Sequence, residues 1–429
     1  MLKTYTAAEF FESRRASTWM DDPELNSTVA EILAEIRERG DEALEEYTAR
    51  FDGIRLPSGK LAVTEEEMKE AAVEVERDFL DALCLAAKNI ERFHREARSP
   101  AWTLTDRAGS FFGELKIPLE RVGIYVPGGT AAYPSSVLMN AIPARVAGVK
   151  EIICCTPPGP EGRVNPYVLA AAAEVGVKRI FRLGGVQAIG AMAYGTETVP
   201  KVDKITGPGN RYVTIAKKLV FGTVDIDMLA GPSEVVVLAD ESARAEWVAS
   251  DLLAQAEHDP DAVAILVTTS DRLCRDTIRA IKALYPSLPR REIIEKSLRE
   301  NGAAVLVEDL EEGIEVVNRI APEHLEVVVR EPFACLGRFV NAGAIFLGPY
   351  SPQSTGDYAA GPNHILPTGG TARFFSPLGV EDFIKRSSVV YYTDEGLARV
   401  AKACVALAQV EGLEAHAQAV RVRRGGIRS

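Results

Sequence analysis

The sequence predicts an α/β protein built on two parallel sheets. Three observations predict this class. Short apolar runs alternate with helical segments from about residue 122, the alternation resumes after Asp225, and Gly and Pro stand where strands should lead into helices. This alternation is typical of βαβ units whose helices cover a parallel sheet. A length of 429 residues allows two or three domains with a substantial buried core.

The elements follow in chain order. The first hundred residues are helical in pattern, and Thr64 with Glu67 forms a capping box before an amphipathic helix predicted to reach about Arg98. Three strand–helix pairs are predicted next, namely 122–126 with 136–147, 151–156 with 168–175, and 179–183 with 187–194. A second series is predicted with strands over 234–239, 262–268 and 325–329, a helix through Gln255, and further pairs up to residue 346. Beyond Gly379 we expect a helical tail too short to fold by itself.

Glycine and proline mark the candidate ligand loops between strands and helices. These loops are Pro127-Gly128-Gly129, Gly184-Gly185, Gly207-Pro208-Gly209-Asn210 and Gly231-Pro232-Ser233. No Gly-x-Gly-x-x-Gly follows a strand, and Gly-x-x-x-x-Gly-Lys is absent. Motif spacing alone therefore reveals no nucleotide site.

Charge and composition restrict the classes of protein and partner that fit this chain. Hydrophobic residues at 47% and charged residues at 26% are typical of a globular protein, and a net charge of -12 argues against nucleic acid or an anionic membrane as partner. The first fifteen residues lack a continuous apolar core, so we expect no signal peptide and a cytoplasmic protein. The six cysteines show no Cys-x-x-Cys spacing, which predicts reduced core thiols.

Histidine is scarce, which makes its neighbours informative. The chain has five histidines, and His258, His324 and His416 stand among carboxylates and carboxamides. A histidine beside an acid or amide can act as a metal ligand or as a general base, because it titrates near neutral pH and its two ring nitrogens do separate jobs. The pattern indicates a metalloenzyme.

Gln255 and His258 are the first candidate metal ligands. On a helix they share one face, where a carboxamide oxygen and an imidazole can converge on one ion. The same residues also fit a helix end that His258 and Asp259 cap before Pro260. Asp357, between Gly356 and Tyr358, fits either a ligand or ordinary turn chemistry.

Glu323 and His324 stand where a predicted helix ends and a predicted strand begins. Ends of this kind carry sites in α/β proteins. The imidazole can take a proton from a hydroxyl while the carboxylate activates water, but a polar connector explains the pair equally well. We expect His94 to be a solvated side chain, and His364 is a candidate for orienting the site.

Six longer runs carry a family resemblance that extends almost end to end. They are R-V-G-I-Y-V-P-G-G (121–129), K-I-T-G-P-G-N (204–210), D-M-L-A-G-P-S-E (227–234), A-Q-A-E-H-D-P (254–260), I-A-P-E-H-L-E (320–326) and G-D-Y-A-A-G-P-N-H (356–364). In this order they resemble the histidinol dehydrogenases. The resemblance implies an enzyme that uses one Zn²⁺ per subunit and two NAD to oxidise L-histidinol through the aldehyde to L-histidine, the last steps of histidine biosynthesis.

The resemblance also implies the site residues. Gln255, His258, Asp357 and His416 match the zinc ligands, and zinc acts as a template that orients substrate. Glu323 and His324 match the catalytic bases. The positions that match substrate contacts are Ser233, Gln255, His258, His324, Asp357, Glu411 and His416. Those that match NAD contacts are Tyr125, Gln187 and Asn210.

The fold that the resemblance implies is two incomplete Rossmann-like domains, one inserted in the other, with small helical terminal elements. The expected division is an N-terminal arm over 1–24, a first α/β domain over 25–124 and 235–376, an inserted second α/β domain over 125–234, and a dimerisation tail over 377–429. The implied assembly is a homodimer with shared active sites. An incomplete Rossmann domain also accounts for the missing glycine motif.

Two alternatives to this function stay open at the level of sequence. A related zinc- and NAD-dependent dehydrogenase could act on another small alcohol such as sulfopropanediol, which requires no recognition of imidazole and amine; Glu411 and His416 favour histidinol. From a different class, the chain could be a zinc hydrolase or a metal-binding protein without catalysis.

Overall fold

The computed structural model describes residues 2–13, 19–128 and 132–424. The strands are β1 (Lys3–Thr6), β2 (Trp102–Thr105), β3 (Phe111–Pro118), β4 (Arg121–Tyr125), β5 (Glu151–Thr156), β6 (Arg179–Arg182), β7 (Lys204–Thr206), β8 (Asp225–Ile226), β9 (Glu234–Ala239), β10 (Val263–Thr268), β11 (Ala303–Leu306), β12 (His324–Val328), β13 (Ala344–Leu347) and β14 (Ile384–Tyr391). The helices are α1 (Ala7–Ser13), α2 (Pro23–Arg39), α3 (Asp41–Phe51), α4 (Glu65–Glu74), α5 (Arg77–Glu96), α6 (Pro134–Ala147), α7 (Pro166–Glu174), α8 (Gly185–Tyr194), α9 (Arg211–Val220), α10 (Ala245–Ala256), α11 (Asp271–Leu284), α12 (Arg291–Glu300), α13 (Leu310–Ile320), α14 (Pro332–Cys335), α15 (Gln353–Tyr358), α16 (Asp394–Val410) and α17 (Glu414–Arg423). Close contacts divide the chain into a first unit, residues 1–97 and 119–383, and a second unit, residues 98–118 and 384–429.

Six parallel strands form the larger sheet of the first unit, in the order β1, β11, β10, β9, β12, β13. The central strand β9 sends Val235 and Val237 into a core with α10, α11 and α12, and Val236 and Leu238 into a core with α13. Burial on both faces explains why 234–239 is an almost unbroken apolar run. The predicted bounds of this strand are confirmed.

Five parallel strands form the other sheet of the first unit, in the order β6, β5, β4, β7, β8. The three predicted strand–helix pairs between residues 122 and 194 are confirmed, with bounds that differ by two residues or fewer. The chain leaves β4 for β5 on one side of it, and β7 lies on the other side. In parallel sheets, ligands bind beyond the carboxyl ends of the strands at such a reversal. The α/β class with parallel sheets is thus confirmed.

The second unit holds a three-stranded antiparallel sheet, in the order β14, β3, β2, together with α16 and α17. The expectation of helix beyond Gly379 is wrong for Ile384–Tyr391, because β14 pairs along its whole length with β3. Most side chains of β14 are exposed, so the strand lacks the apolar alternation that identifies strands in a sequence. Its partner also lies more than 260 residues earlier in the chain.

The N-terminal helices follow the prediction with one interruption. Thr64 Oγ1 accepts a hydrogen bond from the backbone N–H of Glu67, and the Glu67 carboxylate accepts one from the N–H of Thr64, so the capping box is confirmed. The single helix predicted to reach about Arg98 is two helices, α4 and α5, because Val75 and Glu76 have extended backbone.

Two expectations about side chains are corrected. His94 is buried rather than solvated, because it continues the buried stripe of α5 at four residues after Ile90. The cysteines are free, but Cys84 and Cys404 are exposed, so only the other four are core thiols.

Within the described residues, no helix has the length and apolar character that crossing a membrane requires.

Candidate active site

Glu323 and His324 lie at the amino end of β12, in the six-stranded sheet. Ala321 caps α13 in the left-handed conformation, at a φ of 53°, and the chain then turns into the strand. Glu323 and His324 are each 5% exposed. Parallel α/β sheets usually hold ligands at the carboxyl ends of their strands, so this position is the opposite one.

The backbone of Glu234 holds both side chains in place. Its N–H donates to Glu323 Oε2 at 2.8 Å, and its carbonyl accepts from His324 Nδ1 at 3.0 Å. The carbonyl contact fixes the proton of a neutral ring on Nδ1, which leaves the lone pair on Nε2. His324 Nε2 is buried without a hydrogen-bond partner, and it lies 3.6 Å from Asp357 Oδ1. The imidazole is therefore oriented with a free basic nitrogen.

Burial and neighbouring charges shift the pKa of both groups. Burial raises the pKa of Glu323 to about 7, against the opposing effect of His324. For His324, burial acts to lower the pKa, but the carboxylates of Glu323 and Asp357 outweigh it and raise the value to about 9. His324 Nδ1 and Glu323 Oε2 are 3.6 Å apart. Shifts of this kind are typical of catalytic acids and bases.

Gln255 lies in α10, but His258 lies in the turn that follows, so the prediction that one helix carries both is wrong. Asp357 comes to the same corner from α15. Gln255 is 1% exposed in the last turn of α10, and the N–H of His258 donates to its carbonyl oxygen at 3.2 Å. Asp357 belongs to the last turn of the short helix α15 rather than to a free turn. A Cβ at Gly356 would lie 2.6 Å from the ring of Phe346, so this glycine allows α15 to approach β13.

The ionisation states of these groups suit a divalent cation. His258 is an exposed residue, but desolvation by the protein around it lowers the pKa of its imidazole. Burial would raise the pKa of Asp357, but His324, His364 and His258 together lower it. His364 donates from Nδ1 to the carbonyl oxygen of Asp357 at 2.8 Å, which connects this histidine to the site. A neutral imidazole and an ionised carboxylate are the forms that bind metal.

The donor groups of these residues fit zinc, but they form only part of a zinc site. Among the described residues, no group of three His, Cys, Asp or Glu side chains lies close enough to hold a metal ion. The first unit offers one imidazole, one carboxylate and the carboxamide of Gln255, whose Nε2 is buried without a partner. Three protein ligands with no further donor are fewer than a zinc site needs, so these residues alone leave the coordination incomplete.

The other residues predicted to contact substrate are divided between the units. Ser233 is half-buried and directly precedes Glu234, so it belongs to the corner that holds Glu323 and His324. Glu411, at the C-terminal cap of α16, and His416, on α17, lie in the second unit, where both are exposed.

A separate cavity of about 1440 Å³ lies beside the five-stranded sheet and is lined by Tyr125, Gln187 and Asn210. Tyr125 is the last residue of β4, the strand at which the strand order reverses. Its hydroxyl accepts from the N–H of Gly185 at 3.1 Å, and burial raises the pKa of Tyr125 to about 12. Asn210 caps α9 by accepting from the N–H groups of Tyr212 and Val213. Of the loop Pro127-Gly128-Gly129, residue 129 lies outside the described residues.

Four polar side chains near these sites were not predicted. Asp52 lines the cavity and accepts from Gln187 Nε2 at 3.1 Å, and burial raises its pKa to about 6. Asp251, Glu326 and Gln353 lie close to the corner that holds Gln255. Spacing would have found these three, since each stands four residues along a helix or two along a strand from a predicted site residue. Asp52 carried no such signal.

Comparisons with known proteins agree with this architecture. The family model for histidinol dehydrogenase matches residues 15–424. Histidinol dehydrogenase from Heliobacterium mobile is 55% identical over 404 residues, which cover 94% of this chain and 95% of that protein. Histidinol dehydrogenase from Clostridium acetobutylicum is 50% identical over 415 residues, 97% of this chain and 96% of that protein.

Solved structures give the same result at the level of fold. The crystal structure of histidinol dehydrogenase from Elizabethkingia anophelis superposes with a TM-score of 0.92 at 38% identity, covering 100% of this chain and 99% of that one. An acetylating aldehyde dehydrogenase from Geobacillus thermoglucosidasius, at 13% identity and a TM-score of 0.51 over 86% of this chain and 97% of that one, shares the fold alone. Since the family model and the relatives span nearly the whole chain, the chain belongs to the histidinol dehydrogenase family.

Proposed function

We propose that the chain oxidises L-histidinol through L-histidinal to L-histidine, with one Zn²⁺ per subunit and two NAD per turnover, as the last steps of histidine biosynthesis. Family membership supports an oxidoreductase of this pathway. The observation that carries the chemistry is the buried Glu323–His324 pair, whose free Nε2 lies beside Asp357. Two bases at one corner suit a reaction that removes a hydroxyl proton and also needs an activated water.

The proposed proton chemistry uses the two bases in turn. His324 Nε2 takes the hydroxyl proton of the alcohol, while the Glu234 carbonyl holds the other ring nitrogen and stabilises the charge that forms. Glu323 then activates the water that hydrates the aldehyde, for which it must be ionised. A closed site also keeps a reactive amino aldehyde from escaping. Ser233, beside Glu234, and Glu411 are proposed to contact the substrate.

The proposed zinc ligands are Gln255, His258, Asp357 and His416. These oxygen and nitrogen donors suit zinc in a site that leaves room for substrate. When bound, the metal would orient the imidazole and amino nitrogens of histidinol. Chelation should therefore abolish activity and Zn²⁺ should restore it, whereas thiol alkylation should have little effect because no cysteine belongs to the site.

NAD is proposed to bind in the cavity that Tyr125, Gln187 and Asn210 line. A cavity of about 1440 Å³ at the carboxyl end of β4 is large enough for a dinucleotide and occupies the usual place for one. Gln187 Oε1 is buried there without a hydrogen-bond partner, so it is free to accept from a ligand. NAD, when bound, would accept one hydride in each of the two oxidations.

We further propose two incomplete Rossmann-like domains, one inserted in the other, and a homodimer with shared sites. The insertion is supported by the chain path, because the five-stranded sheet lies between β1 and β9 of the six-stranded sheet in sequence. Dimerisation is supported by exposed apolar side chains of the second unit, which include Trp102, Leu104, Leu115, Val390, Leu407 and Val410. The detailed boundaries given above and a cytoplasmic location stay predictions.

The test of this function is NADH formation with L-histidinol. We expect two NADH for each L-histidine formed, with activity lost in His324→Gln. NADH formation with sulfopropanediol but not with histidinol would identify a related dehydrogenase instead. No NADH with any small alcohol, from protein shown to contain zinc, would exclude a dehydrogenase and leave the hydrolase or the metal-binding protein.

A further inference from the structure

A second row of polar side chains lies next to the proposed site on the same three elements. Asp251 stands four residues before Gln255 on α10, Gln353 stands four before Asp357 on α15, and Glu326 follows His324 by two on β12. Spacings of four along a helix and two along a strand put side chains on one face. We call Asp251, Glu326 and Gln353 the second polar row. Glu326 and Gln353 are each 1% exposed.

The second polar row is connected to the candidate ligand Gln255 through hydrogen bonds. The N–H of Gln353 donates to Glu326 Oε1 at 2.6 Å, and Gln353 Nε2 donates to Gln255 Oε1 at 3.0 Å. The carboxyl groups of Glu326 and Asp251 are hydrogen-bonded to each other, and burial raises the pKa of both. Two such carboxyls in contact share a proton, because both cannot be ionised at low cost. A connected network of this kind fixes side-chain orientation.

The amide pair leaves two buried atoms without partners. They are Gln255 Nε2 and Gln353 Oε1, one donor and one acceptor. Turning both carboxamides by half a turn keeps a hydrogen bond between them, now from Gln255 Nε2 to Gln353 Oε1. The free atom of Gln255 is then its oxygen. A cation can bind the carboxamide only through that oxygen.

We propose that Gln353 is a positioning residue, which accepts a hydrogen bond from Gln255 Nε2 and so turns the Gln255 oxygen toward the metal, while Glu326 holds the backbone N–H of Gln353. This inference rests on the proposed function, because it takes Gln255 as a zinc ligand. The short helix α15 would then carry two groups of the metal site. These are the ligand Asp357 and the Gln353 side chain, which orients the ligand Gln255. Loss of such an outer partner typically lowers metal affinity by about 10- to 100-fold.

Three variants of the full-length protein test the inference. Gln353→Leu removes the hydrogen bond at similar size, and Gln353→Glu keeps an acceptor for Gln255 Nε2 but removes the donor. Thr277→Val is the control, because Thr277 is buried on α11 in the same unit with an unpartnered hydroxyl. Zinc affinity is measured by competition with a chromophoric chelator, and the Co²⁺-loaded proteins are compared by visible absorption.

We expect Gln353→Leu to bind zinc about 10- to 100-fold more weakly with an altered Co²⁺ spectrum, and Gln353→Glu and Thr277→Val to bind nearly as wild type. Equal affinity and an equal spectrum in Gln353→Leu would overturn the inference. Equal losses in Gln353→Leu and Gln353→Glu would show that Gln353 donates rather than accepts, which also overturns it. Wild-type protein that binds no zinc at all would instead remove the proposed metal site, and this inference with it.

Discussion

The backbone of a single residue, Glu234, orients both proposed bases. The N–H of Glu234 binds the Glu323 carboxylate and its carbonyl binds the His324 ring. Because backbone groups of a central strand cannot rotate away, the two side chains keep fixed and different orientations. Neighbours in sequence can therefore have separable functions.

The first prediction concerns this division of labour. His324→Gln should impair alcohol oxidation and the later step, because it removes the base that accepts the hydroxyl proton. Glu323→Gln should mainly stop conversion of aldehyde to acid, at a cost of roughly 10²- to 10⁴-fold, because water is no longer activated. Presteady-state NADH formation from histidinol and from histidinal measures both steps. An equal slowing of the two by Glu323→Gln would show that the roles are not separate.

A second prediction is the direction of the pH dependence. The base must be neutral to accept a proton, and Glu323 and Asp357 raise the pKa of His324 to about 9 in the absence of metal. The rate constant kcat/KM for histidinol should therefore rise with pH and level off at or below about pH 9. A cation held by Asp357 would weaken that carboxylate's effect and move the midpoint toward neutral pH. A profile that falls between pH 7 and pH 9 would contradict a neutral His324 as the base.

At the scale of elements, sequence pattern was sufficient where a strand is buried on both faces. Strand β9, with four consecutive apolar residues over 235–238, was predicted with its observed bounds. Strands β1, β2 and β14 were not predicted, because they are short or largely exposed, and β1 and β14 also pair with distant segments. Their hydrogen-bond partners, not their own composition, make them strands.

Prediction of the candidate site from the sequence is limited in the same way, because its residues come from distant segments. The three-residue spacing of Gln255 and His258 at the end of α10, and the adjacent Glu323–His324 pair, are local features of the sequence. Asp357 joins them only because β12, β13 and α15 fold against α10, across about a hundred residues of sequence. Family resemblance, not spacing, identified Asp357 and His416. The second polar row also lies at regular spacing from the predicted residues, but only the structure shows that Glu326 and Gln353 are buried.

The third prediction concerns α5 and its buried histidine. Both ring nitrogens of His94 lack hydrogen-bond partners, and burial lowers its pKa from 6.5 to about 4. Between these values the unfolded chain takes up a proton that the folded protein does not. The contribution of neutral His94 to the free energy of unfolding is therefore fully present above about pH 6.5. As the pH falls from there toward 4, the free energy of unfolding decreases by about 3 kcal/mol.

Denaturant unfolding of wild type and His94→Leu across pH 7 to 4.5 measures this contribution. The loss in free energy of unfolding on acidification should be smaller in His94→Leu, whatever the stability of that variant at pH 7. Parallel losses in the two proteins would mean that His94 takes up its proton in the folded state as well. Comparing slopes rather than absolute stabilities removes the effect of the altered packing.

At the scale of the whole molecule, two observations support the proposed dimer. The first unit supplies three of the four proposed zinc ligands, whereas the fourth, His416, is an exposed residue of the second unit. The second unit also exposes large apolar side chains, among them Leu407 at 65% and Val410 at 88%. A small unit with such a surface gains stability by docking against another surface. These features favour a dimer in which each site takes His416 from the partner chain.

The last prediction is that two inactive variants restore activity when they share a dimer. His258→Asn loses a ligand of its own site, and His416→Asn loses the ligand it would give to its partner. Co-refolding equal amounts should make roughly half of the dimers mixed, each with one intact site, so that about a quarter of wild-type activity returns. Each variant refolded alone is the control and should stay inactive. No recovery, with mixed dimers demonstrated by mass spectrometry, would mean that His416 completes the site of its own chain.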